Sequence, residues 1–482
     1  MYSCLAKCAF KRNFGTYSYL FNQLTKHDAV YDQAGQVFLN TITRGPRLIE
    51  DQISEAFTSF IDADYETVKA DFLEFITQLE TSGYVCTGKS PEMCRSKYKT
   101  FTYNIEIPRT AAYIFDTSEK PDTVNDTQVT FDQLFNETPV PYSMQIETTN
   151  ACNERCVHCY IPHNDKKLFL DKAVIFRVMD EAAALGTLSM TLSGGECMLH
   201  PDFIEILRYA RKCDFSISVL SNLNRLTEPI IDALKLNDIY LLQTSLYSMK
   251  AEEHDSITGI PGSHNATVAA IKKLFSKDIP VQISCPIMKQ NFRSYGDVIK
   301  FAYDHKMKSN TDFVIMGSYD FNTENTKIRL SADETKVVIE EIMRSDRGYR
   351  EFLGSKYKPR DREAEKKRPV CGVGRNALCV ASNGHYYPCA GWQGYDLGNA
   401  YTQTLSDVWH NSDRLKKLRT ITRGDFRECM TCNAYDFCAM CMVRNFNESG
   451  GDMYKINRHF CDVAFLNKKL VEEYWEKEKI SS

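Results

Sequence analysis

The chain has 482 residues, a formal net charge of −4 and 25% charged residues, which leaves room for several domains in an ordinary soluble protein. This balance gives no sign of nucleic-acid binding, and no stretch of eighteen or more apolar residues predicts a membrane span. The N-terminus lacks the apolar core of a signal peptide. Eighteen cysteines in such a chain favour metal binding over disulfides, so we expect a cytoplasmic protein in a reducing cell.

Residues 1–100 form the first predicted module, in which short strands precede helices. Strands are predicted at 17–21, 29–31 and 37–39, with a turn at 32–35 between the last two. In a later predicted helix, apolar residues recur on one face: Val68, Phe72, Phe75, Ile76 and Leu79. This order suits a small winged-helix module, but the helix is acidic, so DNA is not the expected partner.

A polar, irregular linker is predicted at 101–140, and from 141 to 350 strands alternate with helices. The predicted buried strands include 142–149, 190–197, 216–220, 240–245 and 281–285. Helices are predicted at 171–186 and from Pro201 onward. Repeated βα units predict an α/β fold with a complete or partial parallel barrel, whose chemistry lies at the carboxyl ends of the strands.

The first of these strands leads into three cysteines with C-x3-C-x2-C spacing: Cys152, Cys156 and Cys159. A cubic [4Fe–4S] cluster has four irons, so three thiolates from one loop leave one iron open for a small chelating molecule. Zinc is the alternative ligand, although structural zinc usually takes paired C-x2-C knuckles.

The second strand ends in Gly194-Gly195-Glu196. Two glycines let the backbone approach a ligand closely and donate its N–H groups, and Glu196 can accept hydrogen bonds from an ammonium group. The tripeptide alone fits an ordinary strand-to-helix turn equally well. Its place about one βα unit after the cysteine loop favours a ligand site.

A dense mixed-charge run, interpreted as a solvated linker at 351–370, precedes a region with eight cysteines between 371 and 461. Two patterns recur there, C-x12-G-x4-C and C-x2-C-x5-C-x2-C, and a last cysteine follows after a gap. The residues are Cys371, Gly384 and Cys389, then Cys429, Cys432, Cys438, Cys441 and finally Cys461. Arrays this dense are typical of metal sites, with zinc knuckles as the alternative to clusters.

Together these motifs resemble the radical S-adenosylmethionine (SAM) superfamily with a C-terminal SPASM domain. The resemblance implies a partial (β/α)6 TIM-like barrel at 141–350 and an iron–sulfur SPASM domain at 371–482. It implies that the three loop cysteines hold a SAM-binding [4Fe–4S] cluster and that Gly194, Gly195 and Glu196 hold the amino group of SAM. By the same resemblance the sugar and carboxylate contacts of SAM come from Ser221, Asn222 and Ser245.

The SPASM resemblance implies two auxiliary [4Fe–4S] clusters, which makes three in all. The first would be held by Cys371, Cys389 and Cys441, with Cys379 as a possible fourth ligand. The second would be held by Cys429, Cys432, Cys438 and Cys461. Two residues precede Cys441 where the family commonly has three, so whether the first cluster has three or four protein ligands stays open.

Residues 31–39 and 71–85 resemble the recognition element of enzymes that modify ribosomally synthesised peptides (RiPPs), which implies binding of a leader peptide as an added strand. The whole chain then predicts a maturase that installs sulfur-to-carbon thioether crosslinks in a cysteine-containing precursor peptide. The resemblance implies hydrogen abstraction by a 5′-deoxyadenosyl radical, with electrons from a donor such as flavodoxin or ferredoxin. The alternatives are a carbon–carbon or carbon–oxygen cyclase, an epimerase, a sulfatase maturase and a non-catalytic iron–sulfur protein.

Overall fold

The computed structural model describes residues 1–98, 138–163, 167–345 and 360–481. Most of the predicted linker at 101–140, and the first part of the charged run at 351–370, therefore lie outside the described residues. In the described part of the chain, no helix is both long enough and apolar enough to cross a bilayer.

The N-terminal module combines two small antiparallel sheets with helices. Its strands are β1 (Tyr2–Leu5), β2 (Ala9–Phe14), β3 (Tyr17–Asn22), β4 (Asp28–Tyr31), β5 (Arg47–Leu48) and β6 (Val85–Gly88). Its helices are α1 (Gln33–Thr41), α2 (Ile49–Phe57), α3 (Tyr65–Thr81) and α4 (Pro91–Ser96). One sheet has the order β2-β3-β4 and the other β5-β1-β6. The apolar face predicted for α3 is confirmed, because its buried residues are Val68, Phe72, Ile76 and Leu79.

The strand predicted at 37–39 is wrong, because this segment belongs to α1. The Asp32 carboxylate accepts a hydrogen bond from the Gly35 N–H at 3.2 Å, so the predicted turn at 32–35 is the capped first turn of the helix. Three consecutive apolar residues fit a short strand as well as a helix, and the capping aspartate favours the helix.

Six parallel strands form the barrel, and their hydrogen-bonded order follows the chain. They are β7 (Ser143–Thr149), β8 (Ser189–Gly194), β9 (Ser216–Leu220), β10 (Leu241–Ser245), β11 (Val281–Pro286) and β12 (Lys308–Asp312). The accompanying helices are α5 (Lys172–Ala184), α6 (Phe203–Lys212), α7 (Glu228–Leu236), α8 (Ala251–Thr258), α9 (Ser263–Ser276), α10 (Tyr295–Asp304) and α11 (Ala332–Ser345). The predicted partial (β/α)6 barrel is confirmed. Residues of β7 to β11 are buried or half-buried, whereas the last strand, β12, is polar and alternates between exposed and half-buried residues.

The C-terminal region continues the barrel sheet beyond β7. Strand β13 (Ala377–Val380) pairs in parallel with β7, and β14 (His385–Tyr387) and β15 (Gly398–Asn399) follow antiparallel. The helices here are α12 (Arg362–Lys366), α13 (Leu405–Asn411), α14 (Asp413–Thr420), α15 (Arg427–Met430), α16 (Met442–Ser449) and α17 (Arg458–Ser481). One hydrophobic core joins this region to the barrel, so the carboxyl end of β7 lies beside the C-terminal cysteines.

The N-terminal module packs on the amino ends of the barrel strands. Phe10, Phe14 and Tyr19 form one apolar cluster with Leu188, which directly precedes β8. The Arg12 Nε donates to the Thr187 carbonyl at 2.8 Å, also just before β8. Because the amino ends of parallel strands lie at one end of a barrel, the module sits opposite the end where the cysteine loop emerges.

Candidate active site at the carboxyl end of the barrel

The cysteine loop that follows β7 is held by the last turn of α8. The Arg155 N–H donates to the Thr258 carbonyl at 2.8 Å, and the Val157 N–H donates to the Ile257 carbonyl at 2.9 Å. Helix-end carbonyls lack partners within their own helix, so they are free to accept these bonds. The loop between Cys152 and Cys159 is therefore a preformed element of the fold.

Asp255 in α8 organises the turn that leads into α9. Its carboxylate accepts hydrogen bonds from the Gly262 N–H at 2.6 Å, the Ser263 hydroxyl at 2.9 Å and the His264 N–H at 2.8 Å. These bonds hold the pKa of Asp255 below its ordinary value, although burial opposes them. Asp255 thus has a structural role here, since it fixes the helix end that supports the cysteine loop.

The two glycines at the end of β8 pack against the start of the cysteine loop. The Gly195 N–H donates to the Thr149 carbonyl and the Glu196 N–H to the Ala151 carbonyl, both at 2.8 Å. A Cβ atom on Gly195 would lie 2.3 Å from the Ala151 oxygen. The Gly195 and Glu196 N–H groups therefore bond within the chain, and the close approach that needs glycine at position 195 is between two segments of the chain itself. The assignment of Gly194, Gly195 and Glu196 to SAM remains a prediction.

Glu196 is fully buried, and its carboxylate is the centre of a hydrogen-bond network. One oxygen accepts from the Met198 N–H at 3.0 Å and the Ser221 hydroxyl at 2.8 Å, and the other accepts from the Asn222 N–H at 2.7 Å. Burial raises the pKa of Glu196, and these bonds oppose that rise. Because a carboxylate has about four acceptor positions, Glu196 keeps capacity for a donor such as an ammonium group.

The predicted SAM contacts fall into two groups. Ser221 and Asn222 lie at Glu196, and the Asn222 Nδ2 also approaches the Cys152 Sγ at 3.8 Å. Ser245 ends β10 and forms a hydrogen bond with Tyr247. The structure thus brings Glu196, Ser221 and Asn222 to the first cluster cysteine, whereas Ser245 contacts Tyr247, a residue near Cys156 that the sequence analysis missed.

Glu154, between the first two loop cysteines, is another buried group that the sequence analysis missed. Its carboxylate accepts hydrogen bonds from the Cys156 thiol at 3.3 Å and from the Asn224 Nδ2 at 2.6 Å. Burial raises the pKa of Glu154 to about 7. The sequence does show a charged residue between two of the loop cysteines, which could have indicated a role at the site. Its burial, however, depends on neighbours that are distant in the chain.

A further carboxylate joins the barrel to the C-terminal region. Glu147 in β7 is buried and accepts hydrogen bonds from the Tyr160 hydroxyl at 3.3 Å and from the Gln393 Nε2 at 2.6 Å. Burial raises the pKa of Glu147 to about 7. Tyr160 directly follows the cysteine loop, and Gln393 lies four residues after Cys389, so Glu147 links the surroundings of two cysteine sets.

The structure groups the cysteines assigned to the first auxiliary cluster. Burial raises the thiol pKa of Cys371 and of Cys389, the neighbouring Cys441 adds to both rises, and Cys371 adds further to that of Cys389. Cys379 is buried in β13, and the charged neighbours that raise its pKa, after burial itself, are Glu147 and Cys389. Cys371, Cys389 and Cys441 are therefore neighbours of one another, and Cys379 lies near Cys389.

The four cysteines assigned to the second auxiliary cluster line one cavity of about 450 Å³. Cys429, Cys432, Cys438 and Cys461 all face this space, together with Arg423 and Arg458. In the described ranges, no group of three or more Cys, His, Asp or Glu side chains has the spacing of a site for one metal ion. A cavity lined by four thiols fits a cluster that takes four thiolates, with cationic side chains beside its negative charge.

Comparison with known proteins identifies both domains. Residues 146–302 match the Radical SAM superfamily, and residues 371–442 match SPASM, an iron–sulfur cluster-binding domain. The chain is 28% identical over 341 residues to the AdoMet-dependent heme synthase of Methanosarcina barkeri, covering 65% of this chain and 94% of that protein. It is 26% identical over 323 residues to the antilisterial bacteriocin subtilosin biosynthesis protein AlbA of Bacillus subtilis, covering 65% of this chain and 70% of that protein.

A solved structure extends the likeness to nearly the whole fold. The crystal structure of Streptococcus suis SuiB bound to its precursor peptide SuiA matches with a TM-score of 0.61 at 15% identity, covering 94% of this chain and 99% of that one. The fold and the cysteine loop define a radical SAM protein with an auxiliary-cluster domain. The chain carries a radical SAM domain followed by a SPASM domain, and these two domains indicate SAM and iron–sulfur clusters as cofactors.

Proposed function

We propose that this protein is a radical SAM maturase that modifies a ribosomally synthesised precursor peptide. The observation that carries the proposal is the joining of a strand-bearing N-terminal module to a barrel with a SAM-type cysteine loop. AlbA is a bacteriocin biosynthesis protein, and SuiB was crystallised with its precursor peptide. Both relatives support a peptide as the substrate.

Heme synthesis is the competing assignment, since several relatives are heme synthases. The match to the heme synthase of Methanosarcina barkeri covers 94% of that protein but only 65% of this chain. The SuiB structure shares the fold over 94% of this chain, so it includes the N-terminal module. The N-terminal module is additional to the part of the chain that matches the heme synthase, and its presence favours a peptide over heme synthesis.

The residues of the site have distinct roles in the proposed reaction. Bound SAM and its cluster would supply a 5′-deoxyadenosyl radical that takes a hydrogen atom from an unactivated carbon of the peptide. Cys152, Cys156 and Cys159 would hold that cluster, and Glu196 would accept the SAM ammonium group. A small electron carrier such as flavodoxin or ferredoxin is the proposed source of electrons.

The cysteine sets support three [4Fe–4S] clusters: one at the loop and two in the SPASM domain. Anaerobic analysis should then give about twelve iron and twelve sulfide per chain. Replacing Cys152, Cys156 and Cys159 together with alanine should remove about four of each and leave the auxiliary clusters in place. Stoichiometric zinc with little iron would refute the cluster assignment.

Turnover separates an enzyme from a non-catalytic iron–sulfur protein. The reconstituted protein, reduced with dithionite in the presence of SAM, should release 5′-deoxyadenosine without any peptide. The Cys152→Ala, Cys156→Ala, Cys159→Ala variant should release none. Absence of 5′-deoxyadenosine from a fully loaded wild-type protein would contradict the proposal.

The N-terminal module supports leader-peptide binding by strand addition. Among the described residues β4 pairs only with β3, and the four residues of β4 are exposed or half-buried. An edge strand of this kind presents unpaired backbone groups to a partner peptide. Removing the module should weaken binding of the precursor much more than it slows peptide-free cleavage of SAM. Unchanged apparent affinity for the full precursor would assign the module another task.

The proposed product is a thioether between a precursor cysteine and a carbon of the same peptide. Each crosslink would remove a hydrogen atom from carbon, which the 5′-deoxyadenosyl radical takes. The thiol would lose a proton to solvent and one electron to an auxiliary cluster, so the product should be lighter than the precursor by two hydrogens. Its cysteines should resist alkylation after disulfide reduction. Changing the acceptor cysteines to serine should abolish the mass loss while 5′-deoxyadenosine still forms. Persistent mass loss would indicate a carbon–carbon or carbon–oxygen bond, and solvent deuterium at a Cα without mass loss would indicate epimerisation.

A further inference from the structure

The Tyr247 side chain contacts the cysteine loop at Cys156 and His158, and these contacts are separate from the hydrogen-bond network around Glu196. Its side chain is 3% exposed, and its hydroxyl lies 3.8 Å from the Cys156 Sγ and 3.4 Å from the His158 Nε2. The rings of Tyr247 and His158 meet edge to face at 5.1 Å.

The burial of His158 determines which of its ring nitrogens carries the proton, and therefore whether His158 or Tyr247 donates the hydrogen bond between them. The Nδ1 of His158 is buried and has no hydrogen-bond partner among the described residues. A proton on that nitrogen would lose its hydrogen bond to water without any replacement, so the ring proton belongs on Nε2. The Nε2–H group then donates to the Tyr247 oxygen.

With His158 donating to its oxygen, the Tyr247 hydroxyl keeps its own proton for another partner. The Cys156 sulfur is the acceptor at hand, and a thiolate accepts hydrogen bonds only. Hydrogen bonds in such a chain polarise and strengthen one another. We propose that Tyr247 is a positioning residue that donates a hydrogen bond to the Cys156 thiolate and thereby raises the reduction potential of the SAM-binding cluster.

This inference rests on the proposed cluster at Cys152, Cys156 and Cys159 and adds a residue outside the ligand set. Hydrogen bonds to cluster sulfurs are one of the factors that set cluster potentials, because they stabilise the extra negative charge of the reduced state. A donor at Cys156 therefore makes the cluster easier to reduce.

The test is an anaerobic redox titration of the loaded protein, followed by electron paramagnetic resonance. The SAM-binding cluster is recognised as the one whose signal changes when SAM is added. The Tyr247→Phe variant keeps the ring that packs on His158 and removes only the hydroxyl, so the midpoint potential of this cluster should become more negative. The auxiliary clusters should keep their potentials. The control is Tyr240→Phe, which removes a hydroxyl just before β10, at the opposite end of the same strand.

If Tyr247→Phe does not retain the cluster, difluorotyrosine at position 247 replaces it in the test. A fluorinated phenol is a stronger donor, so the midpoint should then become less negative. An unchanged midpoint in whichever variant retains the cluster would overturn the inference. A wild-type protein that binds no cluster at the loop would instead overturn the proposed function.

Discussion

At the scale of single residues, three buried carboxylates dominate the carboxyl end of the barrel. Glu147, Glu154 and Glu196 each have a raised pKa, and in each case burial is the largest cause. Burial disfavours the charged form, while hydrogen bonds from neighbouring donors favour it. Because the pKa of Glu147 and that of Glu154 are raised to about 7, these two groups sit close to the balance between protonated and ionised forms near neutral pH.

Glu147 gives a pH-dependent prediction. Its folded pKa is about 7 against an ordinary 4.5, so ionising it costs stability progressively as pH rises between those values. Glu147→Gln removes that cost and should be more stable than wild type by about 1–3 kcal/mol at pH 8, with a smaller advantage at pH 5.5. Anaerobic thermal unfolding followed by circular dichroism measures both. The exposed Glu205→Gln is the control, and an advantage of Glu147→Gln that does not grow with pH would contradict the prediction.

At the scale of secondary-structure elements, the cysteine loop depends on its neighbours. On one side, the Gly195 and Glu196 N–H groups at the end of β8 donate hydrogen bonds to the Thr149 and Ala151 carbonyls. On the other side, the last turn of α8 holds the loop. Asp255 fixes that turn through three hydrogen bonds. The arrangement preorganises three thiols before any cluster is bound.

Gly195→Ala tests this dependence. The new Cβ would lie 2.3 Å from the Ala151 oxygen and 2.5 Å from the Asn150 oxygen, and these backbone atoms can yield only by moving the loop. We expect the variant to lose about four of its irons, those of the SAM-binding cluster, while its auxiliary clusters remain. Gly296→Ala is the matched control, because the nearest atom outside its own helix, the Glu341 Oε1, would be 3.7 Å from the new Cβ. Full iron content in Gly195→Ala would show that the loop adapts.

At the scale of the whole molecule, the peptide-binding edge and the radical site are proposed to lie at opposite ends of the barrel. The strands between them are five to seven residues long, so they span about 20 Å. A leader bound on β4 must therefore be followed by enough peptide to reach around the barrel. An extended chain covers at most about 3.5 Å per residue, so we expect at least six residues between the leader and the first modified position.

Asp214 is the centre of the interface that fixes this arrangement. Its carboxylate pairs with Arg44 at 2.8 Å and lies 3.7 Å from Arg12, both in the N-terminal module. Asp214→Asn removes the charge but tolerates the backbone φ of +60° at this position. Loss of this ion pair should lower the free energy of local opening at β2 by about 1 kcal/mol. Hydrogen–deuterium exchange in β2, measured by mass spectrometry, should then be roughly fivefold faster. Asp278→Asn, at a φ of +57°, is the control, and equal exchange in both variants would contradict this role.

The sequence by itself determined the architecture and the chemistry of the loop. Alternating apolar strands and helices predicted the barrel because such patterns are local and repeat many times. The C-x3-C-x2-C spacing predicted a shared site because three cysteines within eight residues cannot lie far apart. At 37–39 a local pattern led to a wrong prediction, because a short apolar run fits both a strand and a helix. The helix cap at Asp32 favours the helix.

Only the tertiary structure decided which polar groups are buried and what they contact. Glu147 meets Gln393 across 246 residues of chain, and Tyr247 meets Cys156 across 91, so no local pattern could pair them. No local pattern could pair the Gly195 and Glu196 N–H groups with their acceptors either, because those acceptors belong to β7 and the loop that follows it. Burial and hydrogen bonding are properties of packed neighbours, and the chain brings those neighbours together only when it folds.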